Sequence, residues 1–277
     1  MSKVDLHIHS KFSDDGEFTP EEIVDMAVSN GVTKIAITDH NSIKGVERAI
    51  NYSEGKNVEV IPGVEIDCTY KEVDFHILGY GIDYKDKCFL DIEENVLVQE
   101  LNSTEDKIRK IQEGTDLFVD RDKILNIANG NIVTGELIGE VILEDERNKD
   151  SELLKTYYEG GEKSDMPFVH FYWDFFSQGK VAYVKMDFPK LEDTIKIIKE
   201  KGGKAVLAHP GNNLKGKLEM LEDIIKEGID GIEVYSSYHS DDQRNYFLRK
   251  AKENNLEATW GSDFHGKNKP KIKIGEI

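Results

Sequence analysis

Residues 4–18 read VDLHIHSKFSDDGEF, a short alternating run that carries two histidines and then breaks into a polar turn with two aspartates. Side chains on a β-strand repeat every two residues, so His7 and His9 share one face, with Asp5 two residues below them on the same face. Imidazoles are an unusual choice for the first strand of a chain, and their meaning depends on where the other histidines lie. The next segment, TPEEIVDMAVSNG, reads as a helix with Thr19 as N-cap, Pro20 at the first helical position and Gly31 as its stop. VTKIAITDH is a second strand ending in a polar turn, SIKGVERAINYSEG a second helix, and VEVIPGVEIDCTY and VDFHILGYGI two further strands.

From residue 85 to 113, Leu90, Val96, Leu97, Leu101, Ile108 and Ile111 fall at helical spacing, which predicts a core-facing helix. Residues 115–185 change character: short helical patterns lead into the aromatic run FVHFYWDFF. The strand–helix rhythm then resumes from LEDTIKIIKEKGG through KAVLAHPG and IDGIEVYSS to LEATWGSDFHG. One rhythm on both sides of a break predicts an α/β scaffold built from residues 1–114 and 186–277, interrupted by a mostly helical insert at 115–185 that caps the site.

The 277 residues allow a sizeable core, and 38% hydrophobic with 32% charged content is that of a globular chain. A net charge of −18 argues against a broad duplex-DNA-binding face, which needs lysine and arginine to neutralise phosphates. Cys68 and Cys88 form no Cys-x-x-Cys pair and are expected to be reduced thiols. No window approaches the roughly eighteen uninterrupted apolar residues of a membrane span, and the first residues lack a signal-peptide layout. The expectation is a cytoplasmic protein that does not engage membranes.

Eight histidines occur: His7, His9, His40, His76, His170, His209, His239 and His265. His7, His9 and His76 lie within predicted strands, while His40, His209 and His265 follow strand ends. In βα barrels the carboxyl ends of the strands converge on one working face, and such convergence suits a multinuclear metal site. Imidazole nitrogens mixed with carboxylate oxygens, without thiolates, fit zinc, manganese or iron better than calcium. Glu65 is the natural bridging carboxylate, and Asp263 with Asp14 or Asp15 would add oxygen ligands. Asp5 is expected to hold a ligand ring in one tautomer. His170 is expected to pack, and His239 to face the site.

DLHIHSKFSDDG, AITDHNS, PGVEI, FHILGYGID, VLAHPG, GIEVY and GSDFHG, in this order, resemble the PHP (polymerase and histidinol phosphatase) family of metal-dependent phosphoesterases. The closest resemblance is to stand-alone members with a helical insert, some of which act on nucleoside 3′,5′-bisphosphates or the 5′ ends of short RNA. The fold implied is a distorted seven-stranded (β/α) barrel with two to three divalent ions at its carboxyl face. By this resemblance His7, His9, Glu65 and Asp263 hold one ion. His40, His265 and an aspartate, with Asp15 preferred because it keeps the Asp-Gly turn, hold a second, and Glu65, His76 and His209 a third. Two departures stand out: Ser13-Asp14-Asp15-Gly16 carries one acid more than the family's Ser-Asp-Gly, and VTGELIGEVI at 133–142 lacks the arginine and histidine of the bisphosphate-hydrolysing subgroup's Thr-Arg-Pro-His-like segment.

The resemblance implies hydrolysis of a small phosphate ester by a metal-activated hydroxide, with a nucleotide or a short single-stranded RNA end as substrate. His209 or His239 is the candidate proton donor, and Arg244 and Lys180 are the candidate phosphate contacts. The alternatives are a histidinol-phosphate-type monoesterase, an amidohydrolase-like hydrolase, and a non-catalytic metal-binding module.

Overall fold

The protein is described here by a computed structural model covering residues 3–276. It divides into two compact units, Met1–Glu93 with Phe188–Gly266 and Ile272–Ile277, and Glu94–Asp187 with Lys267–Lys271. In chain order the regular elements begin with β1 (Lys3–Ile8), α1 (Pro20–Ser29), β2 (Val32–Ile37), α2 (Val46–Ser53), β3 (Glu59–Tyr70), β4 (Val73–Tyr80) and α3 (Lys87–Gly114). Next come α4 (Arg121–Ala128), α5 (Gly135–Glu144), α6 (Pro167–Phe175), α7 (Leu191–Glu200) and β5 (Lys204–Leu207). The chain ends with α8 (Pro210–Asn213), α9 (Met220–Lys226), β6 (Gly231–Ser236), α10 (Asp241–Glu253) and β7 (Glu257–Gly261).

In the first unit the seven strands follow sequence order, β1 to β7. Just past the end of β7, a bridge from Ile8 to Phe264 and the 2.9 Å bond from His9 N–H to the Phe264 carbonyl close the sheet into a seven-stranded barrel. All pairs are parallel except those of β4, which runs antiparallel to both β3 and β5. This reversal, unexpected from the sequence, arises from a two-residue hairpin: Lys71 and Glu72 both adopt left-handed conformations, φ 49° and 64°, the geometry of a type I′ turn. The usual sequence signal for that turn, Asn-Gly or Asp-Gly, is absent. Reversal has a functional consequence, because a residue near the start of β4 lies level with the carboxyl ends of the other strands. His76 is such a residue, paired across the hairpin with Asp67.

The first helix starts as the sequence predicts, and α10 begins with the same kind of cap. Thr19 forms a capping box with Glu22 ahead of α1, and Ser240 forms one with Gln243 ahead of α10. Their apolar faces bury Ile23, Val24, Ala27, Phe247 and Ala251 against the barrel strands.

The helical unit has its own core, in which Ile108, Ile111, Leu117, Ile138, Val141, Leu154 and Phe171 come together. The units divide near Glu94 rather than at 115. Of the α3 positions expected to face a core, Val96, Ile108 and Ile111 are buried, the last two in the helical core, whereas Leu90, Leu97 and Leu101 are exposed, because helical spacing marks an apolar face without fixing what covers it. Phe171 is fully buried and packs against Phe175, the rings tilted by 36° with centroids 4.5 Å apart, which fits the packing role of the aromatic run. VTGELIGEVI forms α5, capped by Thr134, and Gly139 lets α6 approach so closely that a Cβ there would lie 2.9 Å from the Phe171 ring. His170 lies in α6, with Asp165 3.0 Å from Nε2 and Trp173 edge-on to its ring. No described helix is long and apolar enough to cross a membrane.

Candidate metal centre

Strand ends bring the expected side chains together. His7 Nε2 lies 2.9 Å from Glu65 Oε2 and 3.4 Å from Asp263 Oδ1, while His9 Nε2 lies 3.1 and 3.2 Å from the same two oxygens. Glu65 Oε1, on the other side of the carboxylate, is 2.9 Å from His76 Nδ1 and 3.1 Å from His209 Nε2. His265 Nε2 is 2.9 Å from Asp15 Oδ2. Four sets of donor atoms each converge closely enough to hold a cation: His7, His9, Glu65 and Asp263; His9, Asp15, His40 and His265; Glu65, His76 and His209; and His40, Asp67 and His76.

The rings are fixed from behind, and that fixing chooses which nitrogen faces inward. His7 Nδ1 donates to Glu233 Oε1 at 2.9 Å, and His265 Nδ1 donates to the Asp263 carbonyl at 2.9 Å. His9 Nδ1 meets Ser13 Oγ at 3.1 Å, and because the Ser13 hydroxyl donates onward to Asp15 Oδ1, it accepts the proton of His9. Three imidazoles therefore turn Nε2 toward the cluster, the nitrogen that a metal ligand must offer. Asp15 turns to the cluster, whereas Asp14 is exposed.

Two acids behind the cluster act differently from the sequence expectation. Asp5 does not hold a ligand ring; its buried carboxylate accepts backbone N–H groups of His7, Ser262 and Gly275, tying β1 to the segment after β7 and to the chain end. Glu233, which the sequence reading passed over, holds the His7 ring and also accepts the His209 N–H at 2.7 Å. A strand residue in an apolar run, Glu233 could have been noticed as a buried acid that needs a partner. Asp67 was also missed, although it lies two residues beyond Glu65 on the same face of β3.

Several site residues occupy strained backbone. His209 has φ 22°, Asp263 φ 60° and Asn41 φ 54°, all non-glycine residues in the left-handed region, where strain collects at functional sites. Glu233 on the His209 N–H and His7 O on the Asp263 N–H, at 2.8 Å, hold two of them there.

Electrostatics follow from burial and from the crowding of opposite charges. Burial works against charging His7, yet the carboxylates of Glu65, Glu233 and Asp263 raise its pKa well above the ordinary histidine value. Burial, with the nearby His265, pushes His9 down to about 4, so this ring stays neutral over the whole physiological range. Glu65 and Asp15 remain ionised in spite of burial, because His7, His40 and His76 surround the first and His265 faces the second. For Asp39 burial outweighs the Ser10 N–H and Oγ–H that it accepts and the nearby His40, and pushes it up to about 7.

Of the two candidate proton donors, His209 is within the donor sets and His239 is occupied elsewhere. His239 Nε2 accepts the Gly211 N–H at 2.9 Å and its Nδ1 donates to the Val234 carbonyl at 2.8 Å, so both nitrogens are committed to backbone. In this arrangement His239 can offer a proton only by giving up a buried bond. Arg244 lies on α10 near Ser236, with a buried Nε that has no hydrogen-bond partner among the described residues. Lys180 is exposed in the turn after α6, in the field of Asp174.

The donors fit divalent ions by a test internal to the site. His40 Nδ1, Asp67 Oδ1 and His265 Nε2 are buried atoms without a hydrogen bond among the described residues, an arrangement that costs free energy unless something else satisfies them. All three belong to the donor sets, and imidazole with carboxylate matches zinc-, manganese- or iron-type cations. Cys68 is buried in the apolar core, where desolvation pushes its thiol well up, and it contributes no ligand.

Residues 5–201 match the PHP domain family. The chain is 30% identical over 269 residues to a 5′-3′ exoribonuclease of Haemophilus influenzae, covering 95% of this chain and 90% of that protein. It is also 30% identical over 271 residues to a 3′,5′-nucleoside bisphosphate phosphatase of Chromobacterium violaceum, covering 96% and 88%. Among solved structures it resembles an amidohydrolase from Chromobacterium violaceum holding sulfate, with TM-score 0.80, 25% identity and coverage of 99% and 90%. A protein described as a metal-dependent phosphoesterase from Bifidobacterium adolescentis gives TM-score 0.77, 26% identity and coverage of 99% and 91%. Barrel, donor geometry and similarity along nearly the whole length agree: the chain belongs to the PHP domain family.

Proposed function

We propose that this protein is a metal-dependent phosphoesterase that removes or cleaves a phosphate ester on a small nucleotide-type substrate, either a nucleoside 3′,5′-bisphosphate or the 5′ end of a short RNA. The observation that carries this reading is the convergence of six histidines and four carboxylates into overlapping donor sets built around Glu65. Two relatives of matching length carry names for these two activities, and a phosphate bond is what their chemistry shares.

His7, His9, Asp15, His40, Glu65, His76, His209, Asp263 and His265 are the proposed ligands of two to three divalent ions of the manganese, zinc or iron type. When bound, such ions supply Lewis acidity: they acidify water and neutralise charge on a phosphoryl group. Everything else falls to the chain. Glu65 presents one oxygen to His7 and His9 and the other to His76 and His209, so it links donor sets that would otherwise be separate. Glu233, Ser13 and the Asp263 carbonyl hold three rings with their lone pairs inward, which removes a reorganisation cost from binding. Arg244 is the better supported phosphate contact, because its buried Nε has no hydrogen-bond partner among the described residues. With His239 committed to backbone, protonation of the leaving oxygen falls to water or to His209 when that ring is released from Glu65.

An amidohydrolase reading is less favoured, since β3 offers Glu65 as the bridging group rather than a modified lysine. The test is a release panel with Mn²⁺- or Zn²⁺-loaded protein on nucleoside 3′,5′-bisphosphates, 5′-phosphorylated short RNA, histidinol phosphate and amide substrates, with metal content measured on the same preparation. Phosphate or nucleotide release, lost in Glu65→Gln, is the expected result. Amide cleavage alone, or no turnover by protein holding at least two ions, overturns it.

A further inference from the structure

The fourth donor set differs from the other three in exposure and in partners. His40, Asp67 and His76 are all partly open to solvent, with side chains 16%, 17% and 32% exposed; the second and third sets also contain partly exposed members, Asp15 with His40 and His76, but each is completed by enclosed groups, His9 with His265 and Glu65 with His209. Asp67 Oδ1 lies at ion-pair distance from both rings, 3.4 Å from His40 Nδ1 and 3.3 Å from His76 Nε2, yet neither Asp67 Oδ1 nor His40 Nδ1 makes a hydrogen bond among the described residues. The carboxylate is nevertheless held in place: Asn41 donates from Nδ2 to Asp67 Oδ2 at 2.7 Å and accepts the Asp67 N–H on Oδ1 at 3.1 Å. Asn41 itself sits at φ 54°, so strained backbone positions the group that positions Asp67. One oxygen is thus anchored and the other is aimed, unsatisfied, at two imidazoles.

The set also shares its rings. His40 belongs with His9, Asp15 and His265 in a second donor set, and His76 belongs with Glu65 and His209 in a third. One imidazole serves one ion at a time, so a cation held by His40, Asp67 and His76 competes with occupation of two inner positions. A position whose every ligand is partly exposed, and which shares its two rings with sets completed by enclosed groups, is suited to passing an ion on rather than keeping it.

We propose that His40, Asp67 and His76 form a solvent-side entry position through which a divalent cation of the zinc, manganese or iron type exchanges with the inner cluster. The proposal rests on the reading of that cluster as a metal centre. Asp67 supplies the one ligand that no inner set uses, and its anionic oxygen draws the ion in. His40 and His76 then carry it toward Asp15 and His265 on one side, or toward Glu65 and His209 on the other.

The test is Zn²⁺ uptake and release by metal-free protein, followed with a fluorescent indicator for uptake and a chromophoric chelator for release. Asp67→Asn keeps an acceptor for Asn41 and removes the charge. It is expected to slow uptake and release together by about tenfold, the lower end of what loss of a group supporting a metal site costs. The final count of ions per chain should be unchanged, and Asp67→Glu should recover most of the lost rate. Melting of the metal-free variants checks that they fold, and if Asp67→Asn does not, Asp67→Glu against Asn41→Ala provides the same comparison. Unchanged uptake, or faster release with unchanged uptake, overturns the proposal, the latter by making Asp67 a support for resident ions. Fewer than two Zn²⁺ per chain in the unaltered protein would instead defeat the metal-centre reading itself.

Discussion

At the residue scale, the groups that do not touch a cation decide as much as those that would. Glu233 holds the ring of one ligand and the strained backbone of another, so Glu233→Gln should lower metal affinity by about 10- to 100-fold. Competition with a calibrated chelator measures this, and loss confined to stability, with affinity intact, would refute the positioning role. His239 gives a pH test. Burial holds its pKa below the ordinary value, so below pH ~6.5 the unfolded chain takes up a proton that the folded ring refuses. Its contribution is therefore complete above that pH and is lost as pH falls. Metal-free wild type should lose melting temperature more steeply between pH 7 and 5 than His239→Gln, whose amide both donates and accepts; parallel curves would show that the ring is not the group responsible.

At the element scale, turns and close approaches carry information that periodicity does not. Lys71 and Glu72 form a type I′ turn at left-handed φ values that cost L-residues about 1–2 kcal/mol each. Replacing the pair by Asn-Gly should raise unfolding free energy by about 1 kcal/mol in urea melts. A decrease would show that Lys71, which pairs with the exposed Asp223, matters more than backbone strain. In α5 the usual rule for helices reverses: Gly139→Ala should destabilise by about 1–3 kcal/mol, because the added methyl meets the Phe171 ring. The helix start at Thr19-Pro20 was readable because capping chemistry is local. The reversed β4 was not, since its turn lacks the residues that ordinarily announce one.

At the scale of the molecule, a chain of net charge −18 gathers four carboxylates and six histidines into one region, an arrangement that cations would relieve. Binding only to the folded state stabilises it, and one ion at a hundredfold excess over its dissociation constant adds about 2.7 kcal/mol. Mn²⁺ or Zn²⁺ should therefore raise the melting temperature by roughly 5–10 °C over chelator-treated protein. An unchanged transition would mean that the donor sets are not used.

By itself the sequence determined the barrel's strand–helix rhythm and most of the cluster. His7 and His9 alternate on one strand and so share a face, Glu65 lies within a later strand, and His209, Asp263 and His265 follow strand ends, which converge in a βα barrel. Tertiary structure alone decided the rest. It reversed β4 and so brought His76 level with Asp67, chose Asp15 over Asp14, assigned most of α3 to the helical core, turned Asp5 to backbone, and gave Glu233 its two ligands to hold. The physical reason is the range of the interactions. Periodicity and capping act within a few residues, whereas the partner of a buried ring or carboxylate is set by chain segments up to 270 residues away, as with Asp5 and Gly275.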